Sequence, residues 1–136
     1  MKLITYKIQN SESHQIGVVE DNTVYNLNNY FGNISLVDMF QVENYQDQIA
    51  LHICNDNCVK HDFEDINLLP PIPNPTSFRD AYSFRQHVET SRKNRGLNMI
   101  AEFDQFPVFY FSNHNTMFAD GEEIKLMPYH FEQLDF

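Results

Sequence analysis

The chain has 136 residues, 42% hydrophobic and 14% aromatic, enough for one ordinary core or a small domain plus part of another. Nine Lys and Arg against 19 Asp and Glu give a formal net charge of −10. That balance disfavours nucleic acid or an anionic membrane, both of which need a basic face, favours cations as companions, and otherwise serves solubility.

Four Gly, none in a glycine-rich run, leave no phosphate-cradling loop, and two Cys do not make a secreted disulfide framework. The chain carries no apolar stretch of signal-peptide or transmembrane length. The expectation is a soluble cytoplasmic protein with no nucleic-acid and no membrane partner.

Leu3 to Ile8 alternates and predicts a strand. Gln15 to Val19 and Val24 to Leu27 predict two more, joined as a hairpin by Glu20-Asp21-Asn22-Thr23. Ser35 before Leu36-Val37-Asp38-Met39-Phe40 resembles a capping box and predicts a short helix. Tyr45, Ile49 and Ile53 at spacing four predict a second helix, broken by Asn55-Asp56-Asn57.

Ile66 to Leu69 is a short extended piece. Pro70, Pro71, Pro73 and Pro75 then forbid helix and mark the best boundary in the chain. Thr76 or Ser77 can cap the following helix, which is expected to run to about Arg95. Gly96 ends it, and Arg92, Lys93 and Arg95 suit its last turn. Phe106 to Phe111 is an aromatic strand, Asp120-Gly121 a turn, Glu122 to Met127 an extended piece, and Gln133 to Phe136 the beginning of another strand. The domains expected are 1–65, small and β-rich with two short helices; 66–75, a proline-rich linker; and 76–136. The class is α+β, mainly β.

Three groups of residues could carry chemistry. Asp80 and His87 lie seven apart, two turns on the expected helix and so on nearly one face, with Tyr82 to one side. A carboxylate, a phenol and an imidazole are a metal ligand, an oxygen binder and a base. The plainer alternative is an acidic residue favouring a helix start beside a surface histidine. His52, Cys54, Cys58 and His61 offer the ligand types of a tetrahedral zinc site, at spacings that depart from the common finger patterns. Ser112-Asn113-His114-Asn115 puts polar groups at a strand end, where a simple polar turn is the competing reading.

Four pieces in order carry a resemblance: Leu68-Leu69-Pro70-Pro71-Ile72-Pro73, Phe78-Arg79-Asp80-Ala81-Tyr82-Ser83-Phe84-Arg85-Gln86-His87, Phe106-Pro107-Val108-Phe109-Tyr110-Phe111, and Asp120-Gly121-Glu122-Glu123-Ile124. Residues 66–136 resemble the fumarylacetoacetate hydrolase family, and residues 1–65 fit its small N-terminal domain loosely. The resemblance implies a truncated β-roll catalytic domain from residue 76. It implies hydrolysis of a C–C bond in a small diketo acid, or a related decarboxylation or isomerisation, with magnesium or calcium. It places Asp80 as a metal ligand, His87 as the catalytic base that activates water, and Tyr82 and Tyr110 as substrate-binding residues. Full-length members suggest a homodimer.

The family pattern continues from a segment like Leu134-Asp135-Phe136 into Glu-x-Glu, then a further Asp and a Lys. These 136 residues hold none of those groups. The expectation is an N-terminal fragment, inactive alone. A non-catalytic binding or regulatory module and a small zinc-binding domain stand as alternatives.

Overall fold

The computed structural model describes residues 1–125. They form two compact units: Met1–Pro73 with the described residues from Met117 onward, and Asn74–Thr116.

The first unit is built on a five-stranded antiparallel sheet. Its strands are β1 (Lys2–Ile8), β2 (Gln15–Glu20), β3 (Thr23–Asn26), β4 (Lys60–Asp62) and β5 (Ile66–Leu69), in the order β4-β3-β2-β1-β5. The β2–β3 hairpin closes at the pair Glu20↔Thr23, and Asp21 takes the positive φ (52°) that a two-residue turn demands. Alternation then sorts the side chains. Leu3, Ile16 and Val18 pack on one face with the helices, while Ile4, Tyr6, Ile8, Val19 and Val24 pack on the other with Ile66 and Phe63.

Three short helices connect β3 to β4: α1 (Asn28–Phe31), α2 (Leu36–Met39) and α3 (Tyr45–Ile53). The Ser35 capping box is formed. The Ser35 hydroxyl accepts the Asp38 N–H at 3.2 Å, and the Asp38 carboxylate accepts the Ser35 N–H at 3.0 Å. These bonds to Ser35 also hold the Asp38 carboxyl below its ordinary range. Leu36, Met39 and Ile49 are buried under the sheet, and Tyr45 and Ile53 pack beside them. Helix α1 and strand β4 were not expected. Lys60-His61-Asp62 contains no aliphatic residue, so no period-two apolar signal announces that strand.

Two boundaries differ from expectation. Ile66–Leu69, counted with the linker, is the edge strand β5, registered from Thr5↔Leu69 to Ile8↔Ile66. The helix expected from Thr76 to Arg95 is two elements: strand β6 (Phe78–Ala81) and helix α4 (Arg85–Asn94). β6 pairs antiparallel with β7 (Phe109–Ser112) in a two-stranded ribbon, and that pairing outweighs the local cap signal of Thr76-Ser77. β7 starts later than the expected Phe106 because Pro107 has no N–H for a ladder.

Helix α4 ends as its sequence requires. Gly96 has φ 72°, its N–H reaches the Lys93 carbonyl at 2.9 Å, and the Leu97 N–H reaches the Arg92 carbonyl at 2.9 Å. That is a Schellman ending. Asp120-Gly121 is a turn, and Glu122–Lys125 is in no assigned strand. Leu126-Met127 and Gln133–Phe136 lie outside the described residues. Among the described residues no helix is long and apolar enough to cross a membrane.

Packing generates a graded stability test. Ile49→Ala, at a site with no solvent exposure, should cost about 2–5 kcal/mol. Gly17→Ala should cost about 1–3 kcal/mol by overpacking, because a Cβ there meets Tyr25 O, Tyr6 Cε1 and Val24 Cγ1 at 3.0 Å. Leu51→Ala, 75% exposed on α3, should stay within about 0.5 kcal/mol. Urea unfolding of the three variants checks the order.

Candidate functional site

Three of the four expected site residues stand on or beside the β6–β7 ribbon. Asp80 on β6 is directly opposite Tyr110 on β7. Tyr82 follows β6 and extends the ladder by one bond, its N–H donating to the Val108 carbonyl at 3.1 Å. Alternation therefore gives Asp80 and Tyr110 one face of the ribbon, with Phe78 and Ser112 beside them. Arg79, Phe109 and Phe111 take the other face. There the Arg79 guanidinium lies over the Phe111 ring at 5.0 Å and the Phe109 ring at 5.3 Å. Asp80 is exposed, and among the described residues its carboxylate enters no hydrogen bond or ion pair. Tyr110 is 68% exposed.

His87 is not a helical neighbour of Asp80. It is the third residue of α4, exposed, in an open depression of about 590 Å³ lined also by Ser83, Phe84, Arg85, Gln86 and Thr90. Tyr82 instead lines a smaller pocket of about 100 Å³, whose apolar wall includes Val88, Leu97, Ile100 and Phe103. The structure thus brings Asp80 and Tyr110 together by cross-strand pairing, and sets Tyr82 on the short connection from β6 into α4 and His87 in the first turn of that helix.

The beginning of α4 holds groups that the motifs did not single out. Arg85 forks onto Asp104, Nε to Oδ1 at 3.1 Å and Nη2 to Oδ2 at 3.2 Å, and its Nη1 reaches Glu89 Oε2 at 3.2 Å. Asp104 closes a 3₁₀ turn, Ala101–Asp104. Hydrogen bonding to Asp104, its charge and that of Glu89 hold Arg85 more firmly protonated than usual. The Arg85/Glu89 spacing was legible as an i,i+4 pair. Asp104, nineteen residues away, had no local signal.

The four candidate zinc ligands do not converge. Cys54 is exposed and Cys58 buried. His61 packs edge-on to Tyr6, and its Nε2 is buried with no hydrogen-bond partner among the described residues. His52 and Cys58 do meet, Nε2 to Sγ at 3.2 Å, and the same Nε2 lies 2.9 Å from the Asn26 carbonyl oxygen. A carbonyl only accepts, so Nε2 carries the hydrogen and shares it between that oxygen and the sulfur. The imidazole nitrogen beside the thiol is therefore a donor and not its base. Among the described residues no group of three or more His, Cys, Asp or Glu side chains is placed to hold a metal ion. Ser112 is the last residue of β7, and Asn113-His114-Asn115 turns away after it, the Asn113 side-chain oxygen accepting the Asn115 N–H at 3.0 Å.

Comparison with protein-family models finds no match, and comparison with curated proteins finds none.

The buried protons of the first unit give a pH test. Burial pushes the Tyr6 phenol up, partly offset by its Asn26 hydrogen bond; burial also pushes the Cys58 thiol up, partly offset by Lys60. In the unfolded chain these groups release their protons near pH 10 and pH 8.5, while the fold retains both to higher pH. The folded state then binds more protons than the unfolded state, so stability is full below about pH 8.5 and falls as pH rises. Urea unfolding from pH 8 to 11 should show this decline, and Cys58→Ala should flatten its first part. A flat profile for the natural chain would contradict it.

Proposed function

We propose that this chain carries part of the site of a C–C bond hydrolase of the fumarylacetoacetate hydrolase type, acting on a small diketo acid with magnesium or calcium. The ribbon is then the first strand pair of the catalytic β-roll. The observation that carries the reading is the cross-strand pair of Asp80 and Tyr110: an exposed carboxylate beside an exposed phenol. The ordered motifs around it, from Leu68-Leu69-Pro70-Pro71 to Asp120-Gly121-Glu122, support the same reading.

A hard divalent ion takes six or more oxygen ligands. Asp80 is the one carboxylate of β6 and β7, so these residues do not complete such a sphere by themselves. Asp80 would contribute one ligand to such an ion, which when bound would supply Lewis-acid stabilisation of the negative charge that develops as the bond breaks. Hydrolysis adds water across the C–C bond. Hydroxide joins the carbonyl carbon, the bond's electron pair leaves with the enolate fragment, and that fragment takes a proton. In this proposal neutral His87 receives the proton of the attacking water. Tyr82 and Tyr110 donate hydrogen bonds to substrate oxygens and orient the carbonyl.

Two measurements test this. Manganese, titrated as a paramagnetic stand-in for magnesium, should broaden the amide signals around Asp80 and Tyr110 at millimolar concentration. Asp80→Asn should remove the effect, and absence of broadening in the natural chain speaks against a metal ligand there. In a chain continued through a Glu-x-Glu segment, His87→Ala should lower turnover roughly 10²- to 10⁴-fold. Asp80→Ala should be partly rescued by added metal, and the 136-residue chain alone should show no turnover. Substrate depletion by absorbance across a magnesium series reads all three. Unimpaired turnover in the His87 variant would remove its role.

A further inference from the structure

We infer that Arg85 and Asp104 are positioning residues for His87; the inference rests on the reading of His87 as the base. Helix α4 begins under three handicaps. Its N-cap, Phe84, makes no side-chain cap, its first turn holds no acidic residue, and its first residue is the cation Arg85. Each leaves the positive end of the helix uncompensated. His87 sits in this same turn.

The fold answers with a carboxylate from elsewhere. The 3₁₀ turn brings Asp104 to Arg85, and two parallel bonds of 3.1 and 3.2 Å hold the guanidinium plane. The remaining guanidinium nitrogen reaches Glu89, one turn further along α4, at 3.2 Å. A bidentate fork fixes direction as well as distance, which a lysine ammonium cannot do. Val88, the one buried residue of α4, sets the depth of the turn. An apolar contact is non-directional, so the turn's rotation is left to the Arg85 fork.

Both ends of the fork are half-exposed, with side-chain exposures of 50% and 58%. Solvent screens such a pair, so it adds little to global stability. Its effect is local order at residues 86–88. Separation of local order from global stability is what distinguishes positioning from a merely structural role.

The test uses the full 136-residue chain. Amide hydrogen exchange at Val88, whose N–H donates to the Phe84 carbonyl at 3.1 Å, is measured with the line width of the His87 ring signal and the thermal midpoint. Asp104→Asn removes the charge, and Arg85→Lys keeps the charge but loses the fork. Both should speed exchange at the Val88 amide several-fold and change the His87 signal, with the thermal midpoint little moved. Asp104→Glu, which keeps a bidentate carboxylate, should restore protection. Natural exchange and a natural His87 signal in Asp104→Asn would overturn the inference. So would natural behaviour of Arg85→Lys, since charge alone would then suffice. Altered His87 order in these variants, combined with unimpaired hydrolysis by His87→Ala in the continued chain, would support the positioning and remove the catalytic reading it serves.

Discussion

The first unit depends on β1 keeping two antiparallel partners at once, and Tyr6 is where that constraint is concentrated. Tyr6 lies opposite Gln15 on one side and Leu68 on the other, fully buried. A phenol that deep must have partners. Its oxygen accepts from Asn26 Nδ2 at 2.7 Å and donates to Gln15 Oε1 at 3.2 Å, while Asn26 Nδ2 also contacts Gln15. Side chains of three adjacent strands are thus tied at one point. Gly17 leaves room for the ring, and a methyl group there would meet Tyr6 Cε1. Pairing β1 with β5 closes a loop of some sixty residues, but closure entropy grows only with the logarithm of length. The pairing also covers Ile66 against Tyr6 and Val24.

The second unit is held differently. Val88 is its buried hydrophobic residue among those described, and every residue of β6 and β7 is exposed. Directional contacts carry more of the order here: the ribbon ladder, the Arg79 guanidinium over two phenylalanines, the Schellman ending of α4 and the Arg85 fork. Such contacts are individually modest in water. They specify geometry more than they supply stability, and the candidate site is built on them.

The two groups of reactive side chains sit in opposite environments. His52 and Cys58 are buried and satisfied: the imidazole N–H is committed to Asn26, and burial keeps the thiol protonated. Their chemistry is spent on the fold. Asp80, Tyr82, Tyr110 and His87 are exposed, and among the described residues the Asp80 carboxylate has no hydrogen-bond or ion-pair partner. The functional proposal rests on these exposed groups on one side of a ribbon and at one helix start.

Elements governed by neighbours in sequence were legible before the fold was known. The β2–β3 hairpin followed from Asp21-Asn22, α2 from the Ser35 box, α3 from Tyr45, Ile49 and Ile53, and the end of α4 from Gly96. The types of the candidate site residues were legible too, through the motif around Asp80 and His87. What tertiary structure alone decided was their arrangement. Phe78–Ala81 follows a helix-cap signal, yet it is a strand because Phe109–Ser112, thirty residues later, offers a ladder. The Asp80–Tyr110 pair, the partnership of His52 with Cys58 and the Arg85–Asp104 fork arise in the same way. Periodicity and caps report forces that act within one or two turns. Contacts between distant segments leave no mark in either segment, and they form only when the chain brings the two together.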